Sequence, residues 1–296
     1  MNRHIGFLLG LAFICVNSGC GEKQKKEKNR HEDKKEKDEN IFTLPAELKE
    51  ISGLSFLDDS TFIAIQDEEG VLYTYSLTQA KITAAKQFAG TGDFEDVALA
   101  GNDAFAIRSD GRIYHIKNFR ESGTAIDIYS TPLNEKNNIE GLTYDKDKNR
   151  LLLASKDEGI DNDRDKEIFE FDLKTKKLNL HPILSIDISK IENYYKGDAL
   201  EETSKKFLKA LGNTNMNEVF RPSALTIHPT TKDIYVLSSI NNVVAVFGDK
   251  GDLKKIFNLK GKEFIQPEGI AFTSSGSLYI SNEGRSKKAN VIKITY

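Results

Sequence analysis

Cysteine is nearly absent from this chain of 296 residues. There are two, Cys15 and Cys20, and no disulfide framework can be drawn from them. Long apolar runs are missing too: the one unbroken run covers residues 5–16, too short to span a bilayer. Charge of one sign is not in excess, since 42 basic residues face 45 acidic ones for a net charge of −3. That balance excludes a global pull toward nucleic acid or an anionic membrane surface. Histidine is scarce. His4 and His31 fall in the first forty residues, and His115, His181 and His228 are scattered, which supports neither a catalytic triad nor a zinc site. No glycine-rich loop follows a strand and opens a helix, so phosphate-cradling nucleotide chemistry has no support either.

What is present begins with an export pattern. Arg3 and His4 precede the apolar run, which ends at Asn17-Ser18-Gly19-Cys20. Small residues before a cysteine at the end of a signal resemble the bacterial lipobox, although Asn17 stands where the pattern has leucine. Residues 1–19 therefore read as a lipoprotein signal peptide, with Cys20 as the lipidated anchor. Ordinary cleavage without lipid is the alternative. Residues 22–40 carry eight Lys or Arg, seven Asp or Glu and no apolar side chain. Such a stretch cannot bury surface, so residues 20–40 read as a disordered, charged tether.

The remaining residues, 41–296, contain a repeat. One phrase recurs as Ile51-Ser52-Gly53-Leu54, Phe94-Glu95-Asp96-Val97, Ile139-Glu140-Gly141-Leu142, Pro222-Ser223-Ala224-Leu225 and Pro267-Glu268-Gly269-Ile270. Its second residues lie 43, 45, 83 and 45 apart. A period near 43 is in the range of a β-propeller blade. Each phrase opens a first strand. Second strands follow at 61–65, 104–107, 150–154, 234–237 and 277–280, third strands at 71–75, 112–116, 167–171, 243–247 and 289–294, and fourth strands at 84–88, 125–129, 183–188 and 255–259. The fifth unit ends one strand short, and residues 41–44 stand unclaimed ahead of the first. Pairing the two closes the ring and removes two sheet edges. The long step holds Leu200, Phe207, Leu208 and Leu211 at helical spacing before Gly212. The sequence thus predicts an all-β propeller of four-stranded antiparallel blades with a helical insertion at 189–220. Five blades are favoured, with six as the alternative.

In such a ring the first strands surround the axis, so Ser52, Glu95, Glu140, Ser223 and Glu268 should converge on one funnel, with Asp96 beside Glu95. A second ring is expected from the ends of the second strands: Asp67, Arg108, Lys156, Ser238, and Asn282 with Glu283. Arg221 is expected nearby. Two carboxylates about 6 Å apart repel by roughly 3 kcal/mol at an effective dielectric near 20, so the acids need counter-charge or protons. Arg108, Lys156 and Arg221 can supply it. The alternative is Ca²⁺ in an all-oxygen shell of Glu95, Glu140, Glu268 and Asn282. A further acidic stretch, 161–167, matches a Ca²⁺ loop poorly, because Lys166 occupies the glycine position.

The repeated phrases, together with Gln266-Pro267-Glu268-Gly269-Ile270-Ala271-Phe272 and Leu278-Tyr279-Ile280-Ser281-Asn282-Glu283-Gly284, resemble the SdiA-regulated domain family, the YjiK-like propellers of bacterial envelopes. The resemblance implies a propeller at the cell envelope and no particular reaction. The expected function is a lipid-anchored module that binds a small molecule, glycan or envelope protein, with no nucleic acid as partner and with the membrane leaflet left open. The alternative is a metal-dependent hydrolase of a lactone or phosphoester.

Overall fold

The computed structural model describes residues 40–160, 165–195 and 220–296. The signal peptide, Cys20 and the tether up to residue 39 lie outside the described residues, as do 161–164 of the acidic stretch and 196–219 of the expected insertion.

Residues from Ile41 onward form five antiparallel sheets arranged as a five-bladed propeller. Blade 1 is β2 (Ile51–Phe56), β3 (Thr61–Gln66), β4 (Glu69–Ser76) and β5 (Lys81–Thr91). Blade 2 is β6 (Phe94–Ala100), β7 (Asp103–Arg108), β8 (Ile113–Ile116) and β9 (Ile126–Tyr129). Blade 3 is β10 (Ile139–Asp145), β11 (Arg150–Ser155) and β12 (Lys166–Asp172), whose outer edge pairs with both β13 (Lys177–Leu178) and β14 (Leu184–Ile186). Blade 4 is β15 (Pro222–Ile227), β16 (Ile234–Ser238), β17 (Val243–Phe247) and β18 (Leu253–Asn258). Blade 5 is β19 (Pro267–Phe272), β20 (Leu278–Asn282), β21 (Asn290–Ile294) and, as its fourth strand, β1 (Ile41–Thr43). The last pairing, Phe42 opposite Val291, joins the two ends of the ring. A helix, α1 (Ile188–Tyr195), opens the insertion, with the Asp187 carboxylate accepting from the Ser189 amide at 2.9 Å.

Blades pack face to face, which explains why the middle strands show no alternation. All five residues of β17 are buried, and β16 is buried throughout, while the outer β5 is largely exposed. Five apolar clusters fill the five gaps. One joins Phe62 and Tyr75 of blade 1 to Tyr279 and Val291 of blade 5, and another joins Leu152 and Ile168 of blade 3 to Leu225 and Val243 of blade 4. The first strands touch in ring order, and β19 returns to β2.

A bulge repeats in every blade. Ile51 and Gly53 pair with the consecutive residues Gln66 and Ile65, so Ser52 is an extra residue in its strand. The same skip falls on Glu95, Glu140, Ser223 and Glu268. A bulge leaves one residue unpaired and re-aims its side chain. The residue that follows is small in four of the five blades and lets neighbouring first strands approach: a Cβ on Gly53 would stand 2.6 Å from Asp96 Cα, and one on Gly141 would stand 2.6 Å from Leu225 Cδ2.

Candidate axial pocket

The five bulged residues reach a pocket of about 190 Å³ lined also by Asp67, Lys156 and Glu283. These last three each come one residue after a second strand. Alternation turns them away from the strand-end residue before them and toward the axis. A third set on the wall is Glu50, Asp93 and Gln266, each two residues before a bulge. Sequence reasoning missed this set, yet a signal existed: the position two before each bulge is polar in all five blades, the other two being Asn138 and Arg221.

Five expected residues are not on the wall. Arg108, Ser238 and Asn282 end their second strands opposite Phe94, Pro222 and Pro267. Directly opposed residues of a strand pair share a face, so these three point into the gaps between blades. Arg108 pairs with Asp110 at 3.3 Å, and Asn282 donates from Nδ2 to Asn290 Oδ1 at 3.0 Å. Ser238 Oγ accepts from the Arg221 amide at 3.0 Å. Asp96 comes one residue after its bulge and turns inward between first strands. Its two carboxylate oxygens accept from the amides of Val97 and Leu142, both at 2.8 Å, which ties blade 2 to blade 3. Burial drives its pKa up against those two amides. Ser52, by contrast, lines the pocket and also donates to the Phe94 carbonyl at 2.8 Å, tying blade 1 to blade 2.

Arg221 acts one step back from the wall. Its guanidinium pairs with Asp157, whose other oxygen accepts from Asn138 Nδ2 at 3.0 Å. Asn138 holds the left-handed backbone conformation, φ 49°, just before β10 and donates also to Glu140 Oε1 at 3.2 Å. Glu140, 5% exposed, receives the Lys156 ammonium on that same oxygen.

The electrostatics follow from this crowding. Burial pushes Glu95 up to about 9, with Glu140, Asp93 and Glu268 adding to the push and Lys156 opposing it. Burial also raises Glu140, which Lys156 and Arg221 hold down to about 7. Glu268 is raised by burial despite Lys156 and a bond from Gln266. Asp67 and Glu283 are raised by burial and then by Glu50. For Lys156, burial works against the ammonium, but Glu140, Glu268 and Glu95 outweigh it and hold its pKa above the ordinary value. The relief that the sequence demanded therefore comes from Lys156 on the wall, from Arg221 and Arg285 behind it, and from protons.

The donor set for Ca²⁺ is not assembled. Asn282 is off the wall, and among the described residues no three His, Cys, Asp or Glu side chains stand where they could share a metal ion. Among the described residues, three buried polar atoms of the wall have no hydrogen-bond partner: Ser223 Oγ, Asp67 Oδ1 and Gln266 Oε1. Away from the axis, His115 is a packing residue, bonded through Nε2 to Asp103 at 2.7 Å and stacked on Phe105.

Comparison with known proteins places the fold. The chain is similar to a Bacteroides thetaiotaomicron protein of unknown function (13% identity, TM-score 0.51, covering 82% of this chain and 58% of that one). It is similar also to a luciferin-regenerating enzyme (11% identity, TM-score 0.51, covering 86% and 95%) and to a Myxococcus xanthus glutaminyl cyclase (12%, 0.50, 87% and 91%). At these identities the likeness is one of fold alone. No curated protein matches the chain. The SdiA-regulated family pattern spans residues 41–285, from β1 to the loop after β20, and the chain belongs to the SdiA-regulated family.

Proposed function

We infer that this propeller is a binding module of the cell envelope whose axial pocket takes a small polar ligand. The observation that carries the reading is the wall: carboxyl groups from four blades converge with buried polar atoms at Ser223, Asp67 and Gln266 that lack partners. A buried polar group left unpaired costs about 1–3 kcal/mol, which a ligand that bonds it would recover. The volume of about 190 Å³ lies below the roughly 300 Å³ at which pockets for drug-sized ligands begin, so the ligand is compact. Envelope anchoring through Cys20 belongs to the same proposal and is supported by the residues before that cysteine. Cys20→Ser should move the protein from the membrane to the soluble fraction.

The test is a thermal-shift panel of small amines, polyols, sugars, carboxylates and Ca²⁺, with NMR mapping of each compound that raises the melting temperature. Compounds that perturb Glu140, Ser223 and Glu268 support the reading. A panel with no binder, or binders that map elsewhere, overturns it.

One observation favours a second reading, hydrolysis of a lactone or phosphoester. The Glu140 carboxyl, pushed to about 7, has the proton affinity a general base needs at neutral pH. That reading lacks a preformed metal-ligand set, as described above, so binding comes first. Turnover of chromogenic esters or phosphoesters that disappears in Glu140→Gln would reverse the order.

A further inference from the structure

We propose that the ligand of the axial pocket is a small organic cation bearing a primary ammonium group, seated among Asp67, Glu50 and Glu283. This rests on the pocket being a binding site and names the chemical class it takes. Seven carboxyl side chains line the wall against one ammonium, that of Lys156. The imbalance is unevenly spread. Glu95, Glu140 and Glu268 gather around Lys156, which interacts with all three. Asp67, Glu50 and Glu283 form the other group, each pair of them mutually repelling or joined through a shared neighbour. No cation on the wall serves this second group. Off the wall, Arg285 opposes the rise of Glu283 without outweighing burial and Glu50, and Lys49 pairs with Glu50 at 3.0 Å on the exposed side, where an ion pair contributes little.

The acid cluster is not the only sign of a ligand. Asp67 Oδ1 within the second group and Gln266 Oε1 beside it are buried acceptors without partners. Across the pocket Ser223, 2% exposed, leaves its hydroxyl unpaired as well. A primary ammonium has three N–H donors and no acceptor, which matches a wall of carboxylate and amide oxygens. Lys156 on Glu140 shows the same chemistry already realised within the chain. A metal ion needs its ligands close around one point, whereas an ammonium on a short carbon stem can meet acceptors spread along the wall.

The class of ligand has a thermodynamic signature. A cation favours the ionised form of each facing carboxyl, so its binding releases protons from Asp67 and Glu283, both raised by burial, wherever they are still protonated. Glu50 and Glu68 act on Asp67, while Glu50, Glu268, Asp67 and the cation of Arg285 act on Glu283. Affinity should therefore rise with pH for as long as these carboxyls still hold protons, by up to about tenfold per pH unit for each proton released.

The experiment is calorimetric titration of the full chain with 1,4-diaminobutane at pH 6, 7.5 and 9. 1,4-Butanediol, tetramethylammonium and Ca²⁺ serve as comparisons, and Asp67→Asn with Glu283→Gln as the variant. Expected are saturable binding of the diamine that is weakest at pH 6, proton release at pH 6 seen as a dependence on buffer ionisation heat, and a loss of at least tenfold in the double variant. Binding of the diol alone overturns the ammonium assignment and leaves the pocket reading standing. Ca²⁺ binding without diamine binding also overturns it, as does tetramethylammonium binding as tightly as the diamine. Diamine binding unchanged in the variant overturns the seat. Failure of every probe here, together with an empty panel in the thermal-shift screen, overturns both proposals.

Discussion

Replacing Glu95 by glutamine should stabilise the domain at neutral pH, and the gain should shrink as the pH falls. Glu95 holds its proton up to about 9, against an ordinary value of 4.5. Between those values the folded protein binds a proton that the unfolded chain has released, so stability falls as pH rises through the window. Each pH unit in it costs about 1.4 kcal/mol. At pH 7 the cost has accumulated to about 3 kcal/mol, and at pH 5 it is below about 1 kcal/mol. Glutamine keeps the shape of the protonated acid and has no proton to acquire, so Glu95→Gln recovers the difference. For a domain of this size that corresponds to a rise of roughly 6–12 °C in melting temperature at pH 7 and little at pH 5. Thermal unfolding of both proteins at pH 5, 6, 7 and 8 checks it. An offset that stays constant over that range, or a loss that grows toward pH 8, refutes the assignment of a buried, protonated Glu95.

Other substitutions probe the ring and its charges. Asp96→Ala removes the acceptors of two buried amides, Val97 and Leu142, and should cost about 2–4 kcal/mol in urea unfolding, whereas a loss under about 1 kcal/mol contradicts the tie between blades 2 and 3. Gly53→Ala brings a methyl group within 2.6 Å of Asp96 Cα, a backbone atom that cannot step aside, and should destabilise by about 1–3 kcal/mol; a neutral result would mean the first strands pack more loosely than described. Lys156→Met leaves Glu140 without its counter-ion and should lower stability by about 3 kcal/mol at pH 8 and by less at pH 6, where Glu140 can hold a proton. Millimolar methylammonium should restore part of the loss at pH 8, and equal losses at both pH values would contradict the pairing.

The repeated phrase was legible because it is local. A bulge and an apolar first strand follow one another in every blade, with a small residue between them in four of the five, so the pattern recurs in the chain itself. From that recurrence came a propeller with five blades favoured over six, a closing strand expected at residues 41–44 and found at Ile41–Thr43, and the convergence of Ser52, Glu95, Glu140, Ser223 and Glu268. The inward turn of Lys156, Asp67 and Glu283 was legible for the same reason, since each sits at a constant offset from a strand end. Other placements depend on what lies across a gap between blades, which no single segment records. Asp96 leaves the funnel because Gly53, about forty residues earlier, opens space for its carboxylate and because Leu142 presents an amide on the other side. Arg108, Ser238 and Asn282 follow their cross-strand partners into the gaps, and Arg221 reaches the pocket only through Asp157 and Asn138, which a loop brings beside it. Residue type and spacing, then, were enough to bring the five bulged residues to the axis, because the bulge is a property of one strand, but not to say which of the flanking side chains join them there. Which charges share protons there was decided by burial and by neighbours from other blades, and those exist only once the ring has closed.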